Sequence, residues 1–512
     1  MQNVANQRKI GALLSYLQTA LSVIIGLSYT PVMIRILGQS EYGLYSTVSS
    51  TISLLSIVNL GFNNSYIRYY AKYKQEGKEE EIYKLNGLFV IIFSVISLIA
   101  LLAGSFLTFN LKLVFDKGLT DSEYALARIL MAILTVNLAL SFPMSIFSNI
   151  ISANERFILL KSLGILKTVV GPLVTLPLLL IGYRSVAMVT VSLSVSVFTD
   201  VLYFIVVKCK LKQKFIFHSF EKGLFSKLFT YTGFIAINMV VEHVNWNVDK
   251  FLLGRFCGTT EVAIYNVGYL LFQYYMVFSL SIAGVFTPKI HAIVNQTADD
   301  LVLQKQRLTD LFVRVGRIQF MVLSLVATGV VFFGQGFIYF WVGTGYEKSY
   351  YVALLLMIPA TIDLIQNCAM EIQRALDRHR FKSYASLVMA GVNLILSIFL
   401  CQRFGSIGAV IGTSVSFLMV NGIVMNIYYH KRCNIDVGVF WKQIARMTLG
   451  LLIPVAVGTL IFVFAPLYNV GYWMLFVAVY CIVYMLSVWC LSLNQGEKEL
   501  VLTPIRKILK RK

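Results

Sequence analysis

Charge is scarce in this 512-residue chain: Asp, Glu, Lys and Arg make up 13% of it, and acids are rarer than bases, 24 against 44. With 58% hydrophobic residues and a mean hydropathy of +0.75, the composition excludes a water-soluble globular protein. Catalytic signatures are missing too. No Gly-x-x-x-x-Gly-Lys phosphate loop, His-Glu-x-x-His zinc motif or Gly-x-Ser-x-Gly elbow occurs, which argues against nucleotide hydrolysis by this chain. Of five histidines none is paired at metal spacing. The seven cysteines, Cys209, Cys257, Cys368, Cys401, Cys433, Cys481 and Cys490, are scattered and mostly lie in apolar segments. They read as small hydrophobes, not as disulfides or zinc ligands. Low-complexity segments are absent. No cleavable leader is expected, because Met1 to Gly11 is polar and the run after it is too long for a signal-peptide core.

What is present is a succession of apolar runs, about fourteen, each long enough to cross a bilayer as a helix of roughly 20 residues. They span about 11–35, 44–70, 85–110, 125–151, 158–180, 184–207, 228–254, 262–287, 312–341, 350–376, 382–402, 406–429, 442–466 and 470–493. Closed membrane barrels need short alternating strands that this sequence lacks, so the expected fold is all-α. Numbered in order, the runs place about 34 Lys and Arg at the termini and even-to-odd loops and about 7 in the other loops. By the positive-inside rule both termini are expected to be cytoplasmic. The densest clusters are Lys208, Lys210, Lys212 and Lys214, and Arg506, Lys507, Lys510, Arg511 and Lys512. Each lies beside a membrane span, so topogenic charge or contact with anionic membrane lipids explains them better than nucleic acid, and no nucleic-acid partner is expected.

The segment Arg35 to Tyr45 (RILGQSEYGLY) returns as Arg255 to Tyr265 (RFCGTTEVAIY), with Arg, Gly, Glu and Tyr held in place, each copy closing a long apolar run. A second echo relates Tyr183-Arg-Ser185 to Phe404-Gly-Ser406 at nearly the same offset. The chain therefore reads as a duplication. Six spans separate the copies, an even number, so the repeats are parallel. Residues 1–207 form one expected six-helix lobe, 208–227 a basic cytoplasmic linker, 228–430 the second lobe, and 431–512 two additional membrane helices with a basic tail. Internal symmetry of this kind marks secondary transporters, with the substrate site between repeats. Within the repeated block glycine suits a tight turn and Glu41 or Glu261 a helix start, where negative charge is favourable. The stretch Pro288 to Asp310 suits a short interfacial helix.

Polar residues inside the spans supply candidate sites. On span seven Asn238, Glu242, Asn245 and Asp249 share one helix face, with His243, Lys250 and Arg255 alongside. Span ten repeats the pattern with Asp363, Gln366, Asn367, Met370, Glu371 and Arg374. Such groups face a cavity or pair with neighbours to hold helices together. Oxygen ligands from the two spans, Glu242 or Asp249 with Asp363, Asn367 or Glu371, could bind sodium or exchange a proton, while a local Glu371–Arg374 pair is the alternative. In the first lobe Ser15, Gln18 and Ser22 on span one, and Ser49, Ser53, Ser56, Asn59 and Asn63 on span two, suit close helix packing. Arg68, Arg128 and Lys167 are harder to place by packing. Lys167, about midway along span five, is the leading candidate to attract an anionic head group such as a diphosphate; Arg68 and Arg128 can also snorkel to an interface. Tyr265, Tyr269 and Gln273 lie at successive turns of span eight, beside Tyr274 and Tyr275, where tyrosines can contact sugars or pack at the interface.

Arg35 to Tyr45, the stretch Asn247-Val-Asp-Lys-Phe-Leu-Leu-Gly254 leading into Gly258 and Tyr265, and Phe404-Gly-Ser-Ile-Gly-Ala-Val410 together resemble the multidrug/oligosaccharidyl-lipid/polysaccharide exporter superfamily. The likeness is to its bacterial O-antigen (Wzx-type) flippases in particular. That resemblance implies a V-shaped pair of lobes that alternates between inward-open and outward-open states. It implies transfer of an undecaprenyl-diphosphate-linked sugar to the outer leaflet of the bacterial plasma (inner) membrane, with a polysaccharide polymerase as a possible partner. No cofactor is expected beyond sodium or a proton as coupling ion. Related lipid II flippases carry first-lobe cations and, in some members, a sodium site on spans seven and ten. By analogy Asp249 or Glu242 with Asn367 and Glu371 correspond. Drug antiporters of the superfamily are the alternative; they often carry an acid in span one, where this chain has Gln18. A membrane glycan polymerase or ligase would need a large charged external loop, and the longest charged one here is only Asp116 to Glu123, so no enzyme is expected.

Overall fold

The computed structural model describes the chain apart from residues 1, 60, 116–118, 221–222, 379, 500–501 and 503–512, and apart from the side chains of 2–5, 227, 229, 231, 234, 235, 237 and 238. The basic cluster at Arg506, Lys507, Lys510, Arg511 and Lys512, part of the Asp116 to Glu123 loop, part of the linker and the Asn238 side chain thus lie outside the described residues. The described chain is helical, without a strand. Its helices are α1 (Gln2–Leu55), α2 (Phe62–Gln75), α3 (Glu79–Phe109), α4 (Asp121–Ala153), α5 (Phe157–Ile181), α6 (Arg184–Ile205), α7 (Leu224–Phe256) and α8 (Thr259–Gln296). They continue with α9 (Leu301–Val342), α10 (Glu347–Leu364), α11 (Asn367–Ala375), α12 (Arg380–Phe417), α13 (Met425–Arg432), α14 (Val437–Thr448), α15 (Leu452–Phe464) and α16 (Val470–Leu491).

Among the described residues ten helical stretches are long and apolar enough to cross a membrane, or eleven when α10 and α11, bent by 41°, count as one span. That is fewer than the fourteen expected, and three places account for the difference. Residues 6–75 and 380–432 each count as one stretch, although each holds two helices that meet at a kink, at Gly38 and at Gly405, where the backbone is non-helical as expected between spans. α7, several of whose side chains lie outside the described residues, is not among the ten. The expected interfacial helix over Pro288 to Asp310 is also absent as a separate element. α8 runs straight through Pro288 to Gln296, and α9 starts at Leu301, capped by the Asp300 carboxylate on the amides of Val302 and Leu303. At about 1.5 Å per residue these helices of 38 and 42 residues far outreach a hydrocarbon core of roughly 30 Å, so their ends occupy the loop.

The chain divides into two compact units, residues 1–266 with 397–409, and residues 267–396 with 410–512. In the first, α3 packs on α4, α4 and α5 on α6, and α1 on α5 and α7. Its core is aromatic: Phe62, Tyr66, Tyr70, Phe89, Phe93 and Phe147 are all buried. The linker is docked, not free. The Ile216 amide donates to the Tyr83 carbonyl (3.0 Å), the Asn86 side chain donates to the Lys214 carbonyl (3.1 Å), and a Cβ on Gly87 would lie 1.9 Å from the Ile216 oxygen. Only glycine admits the linker there.

Two matching contacts fix the repeat. Gly38 and Gly258 both have left-handed backbones, φ 77° and 96°, which returns the chain sharply enough for the glutamate three residues on to reach a distant helix start. The Glu41 carboxylate accepts from the Ser185 amide (2.9 Å), and the Glu261 carboxylate accepts from the Ser406 amide (2.8 Å). Both serines are fully buried, so without the carboxylate a helix-start amide would be stranded in apolar surroundings. The residues just before them, Arg184 and Gly405, are again left-handed, at φ 50° and 59°. The copies diverge in side chain only. Arg184 ion-pairs with Glu41 (2.6 Å) and donates to the Leu37 carbonyl (2.7 Å), whereas a Cβ on Gly405 would already approach Glu261 to 2.6 Å.

In the second unit α9 is the central post, flanked by α10, α14, α15 and α16. Phe312 stacks on Phe440, ring centroids 4.1 Å apart, and a Cβ on Gly316 would overlap that same Phe440 ring at 2.3 Å. One turn away Arg317 and Glu497, 6% and 8% exposed, form a two-pronged ion pair (2.6 and 2.7 Å). Arg317 also donates to the Ser492 carbonyl (2.8 Å) and the Gln443 side chain (3.3 Å). The pair ties the C-terminal helices to α9.

Replacing Glu261 by Ala, or Glu41 by Ala, is expected to cost about 1–3 kcal/mol by stranding a buried amide, read as a lower unfolding temperature in detergent; Glu261→Gln, which keeps an acceptor, should cost less. Equal melting of Glu261→Ala and wild type would show the contact to be dispensable. Glu497→Ala should be worse, about 3–5 kcal/mol, since it leaves the Arg317 charge buried alone, while Arg317→Met with Glu497→Met should regain most of that loss. A double variant as unstable as the single one would contradict this account.

Candidate functional site

Lys167 sits near the middle of α5, where the sequence is otherwise apolar and Pro172 and Pro177 follow. Its side chain is exposed, and its ammonium donates to the Ser196 hydroxyl on α6 (2.8 Å). One turn further along α6, half-buried Asp200 feels the Lys167 charge. Sequence reading missed Asp200, although a carboxylate four residues after a serine in an apolar run is itself a signal of an intramembrane function. One turn back along α5, a Cβ on Gly164 would lie 2.8 Å from the Gln18 amide. Span one therefore packs directly against the helix that carries Lys167.

The other first-lobe cations are placed differently. Arg68, in α2, and Arg128, in the second turn of α4, are exposed. Between α2 and α4 lies an amide cluster in which Asn149 (2.7 Å) and Ser145 (3.4 Å) donate to the Asn63 oxygen. Nearby, the Tyr66 hydroxyl donates to Asn86 (2.6 Å), and Ser65 and Thr232 share a hydrogen bond (2.7 Å).

On α7 the polar stripe divides. Asp249 is fully buried and accepts from the Tyr265 hydroxyl (3.0 Å), Asn245 is buried, Lys250 is half-buried, and Glu242 is exposed. Tyr265 is itself only 2% exposed, so one oxygen of the candidate ion ligand Asp249 is engaged by a candidate sugar contact. On α8 Tyr269 is buried against Phe272, with ring centroids 6.1 Å apart, and Gln273 is exposed.

The tenth span is broken, and side chains take up the backbone group that the break frees. In an unbroken helix the Leu364 carbonyl would accept from the amide four residues on. Here it accepts from the Ser279 hydroxyl (2.7 Å). That hydroxyl in turn accepts from the Gln319 amide (2.8 Å) and the Asn367 amide (3.1 Å). Gln366, in the break, donates to Asn426 (3.1 Å), which also accepts from Trp441 (2.8 Å). Asp363 lies 3.9 Å from the Lys382 ammonium, and Glu371 pairs with Arg374 at 2.7 Å. Thus Asp363, Asn367 and Glu371 all sit along α10 and α11 in the second unit, while Glu242 and Asp249 belong to the first. Neither Ser279 nor Gln319 was anticipated, and both join the site only through tertiary packing.

The chain aligns with an O-antigen transporter, as it is assigned, of Shigella flexneri at 19% identity, over 81% of this chain and 96% of that protein. The solved structure of the lipid II flippase MurJ in an inward closed conformation superposes with a TM-score of 0.67 at 17% identity, covering 93% of this chain and 98% of that one. An inward-facing multidrug resistance MATE family transporter of the MOP superfamily gives 0.61 at 12% identity, covering 83% and 99%. These likenesses establish the fold of a multi-pass membrane protein. Residues 10–294, more than half of the sequence, match the family model described as polysaccharide biosynthesis protein, and the chain belongs to that family.

Proposed function

We propose that this protein is a flippase that moves an undecaprenyl-diphosphate-linked oligosaccharide repeat unit from the cytoplasmic to the outer leaflet, for cell-surface polysaccharide biosynthesis. Membership of the polysaccharide biosynthesis family is the observation that carries this reading, and the transporter fold supports it. The charge asymmetry of the loops favours cytoplasmic termini. The six-span lobes at 1–207 and 228–430 are the elements that would alternate. Export of drugs has fold similarity alone behind it, and the family match does not favour it.

The chemistry centres on Lys167. A diphosphate carries concentrated negative charge on oxygens, and an ammonium in a medium of low dielectric attracts it far more strongly than in water. Ser196 holds the ammonium in place before substrate arrives. Arg68, Arg128 and Lys250 are further cations, and Tyr265, Tyr269 and Gln273 further polar groups, for the head group and sugars. Glu242, Asp249, Asp363, Asn367 and Glu371 are the oxygen donors through which sodium or a proton would drive the cycle. The sugar would cross through the protein while the polyprenyl tail stays among membrane lipids, and a polymerase would receive the product.

In proteoliposomes, a lipid-linked oligosaccharide should become accessible to an external probe only when the protein is present. Lys167→Ala should slow this by about tenfold or more, as expected for one lost charge-assisted contact, and Lys510→Ala should not. Equal rates for the two variants would remove Lys167 from the mechanism. Failure to transfer any of a panel of lipid-linked sugars, with folded protein, would instead support export of small amphiphiles. Glu242→Gln and Asp363→Asn should each alter the dependence of transfer on sodium or pH; retention of wild-type ion dependence in both would place coupling elsewhere.

A further inference from the structure

We propose that a cavity between the start of α5 and the end of α6 binds a phosphate-headed membrane lipid, at a site that does not involve Lys167. The cavity measures about 340 Å³. Its walls are apolar, formed by Ile158, Leu159, Val206 and Leu211, and its two cations are Arg156 and Lys210. Gln7 of α1 and Ser162 complete the lining; Gln7 accepts from the Ile158 amide (3.2 Å), which keeps α1 seated beside the opening.

Two departures from regular backbone build this shape. At the entry to α5, Glu155 is left-handed, φ 57°, an uncommon conformation for a residue with a side chain. At the exit of α6, Val206–Lys210 forms a π-helical turn, a widening frequent at functional sites. It carries both Val206 and Lys210 on the cavity.

The counter-charge is missing. Glu155 adjoins Arg156 in sequence, yet its carboxylate is taken by Arg8 at 2.7 Å, whose hydrogen bond holds it below the usual carboxylate range. Among the described residues no carboxylate lies within ion-pair distance of Arg156 or Lys210. Both cations are exposed, so each is available to an outside anion. They stand where two membrane helices end, the level at which lipid phosphates lie, and near-surface Lys and Arg each add to holding an anionic lipid. The apolar walls distinguish a lipid from free phosphate. An inorganic ion gains nothing from Leu159 or Val206, whereas a lipid buries its backbone and upper chain carbons against them.

The test uses the full-length protein in detergent, with native mass spectrometry to count bound lipid. Phosphatidylglycerol should be retained in preference to phosphatidylcholine, and R156Q/K210Q should weaken its binding by about tenfold or more. R156K/K210R should retain it, and the control K442Q should match wild type. Equal binding of phosphatidylglycerol by wild type and R156Q/K210Q would overturn the site. Inorganic phosphate binding there as tightly as phosphatidylglycerol would overturn the lipid assignment. S162W fills the cavity without changing charge; it should also lower binding, so the proposal stays open to refutation even if R156Q/K210Q does not fold. Flipping is not the readout, so the outcome is independent of the transported substrate.

Discussion

The interaction on which the rest depends is a carboxylate turned onto a buried amide at the start of another helix, made once in each half of the sequence. Glu41 reaches Ser185 across 144 residues and Glu261 reaches Ser406 across 145. In water a stray amide would be solvated at no net loss; buried in apolar surroundings it costs about 1–3 kcal/mol, so the helix start must lie where the carboxylate is. That single requirement explains several features at once. Gly38 and Gly258 must be left-handed to aim the glutamates, Arg184 and Gly405 must be left-handed to present the amides, and each half is thereby closed on itself. Duplication preserved the contact and let its surroundings drift, giving an arginine ion pair in one copy and bare glycine in the other.

Much of the fold was legible because the bilayer imposes a coarse rule that sequence displays directly: apolar runs of the right length, separated by charge. The repeat was legible for a similar reason, since Arg35 to Tyr45 and Arg255 to Tyr265 keep the residues that geometry demands. Their partners lay in the second echo, at Ser185 and Ser406, but nothing in the string joins the two echoes; only the folded chain does. Gly38 and Gly405 divide spans in the sequence, and in the fold each is a non-helical kink at which one helix ends and the next begins.

The candidate site was legible by residue type and illegible by partnership. Lys167 and Asp363 announce themselves as charges in apolar segments. That Lys167 meets Ser196, or that Asp363 approaches Lys382, depends on how helices rotate against one another, which helical periodicity leaves undetermined. Ser279 and Gln319 carried no signal at all, since a lone serine and a lone glutamine in spans are ordinary packing residues. Arg317 and Glu497 are separated by 180 residues and meet only because α9 and the C-terminal segment pack together.

These partnerships separate polar groups that hold the fold from those free to act. Arg317 is committed: four of its five donors go to Glu497, Ser492 and Gln443, and the side chain is buried. Ser279 is similarly committed, since it donates to the Leu364 carbonyl and accepts from Gln319 and Asn367, which stabilises the broken span in its bent form. Lys167 is the contrasting case. An ammonium has three donors, and Ser196 takes one, while Asp200 supplies charge without a direct hydrogen bond to it. The residue thus stands in an apolar segment with donors in reserve, the condition that recognition of a diphosphate requires and that a buried, ion-paired residue such as Arg317 does not meet.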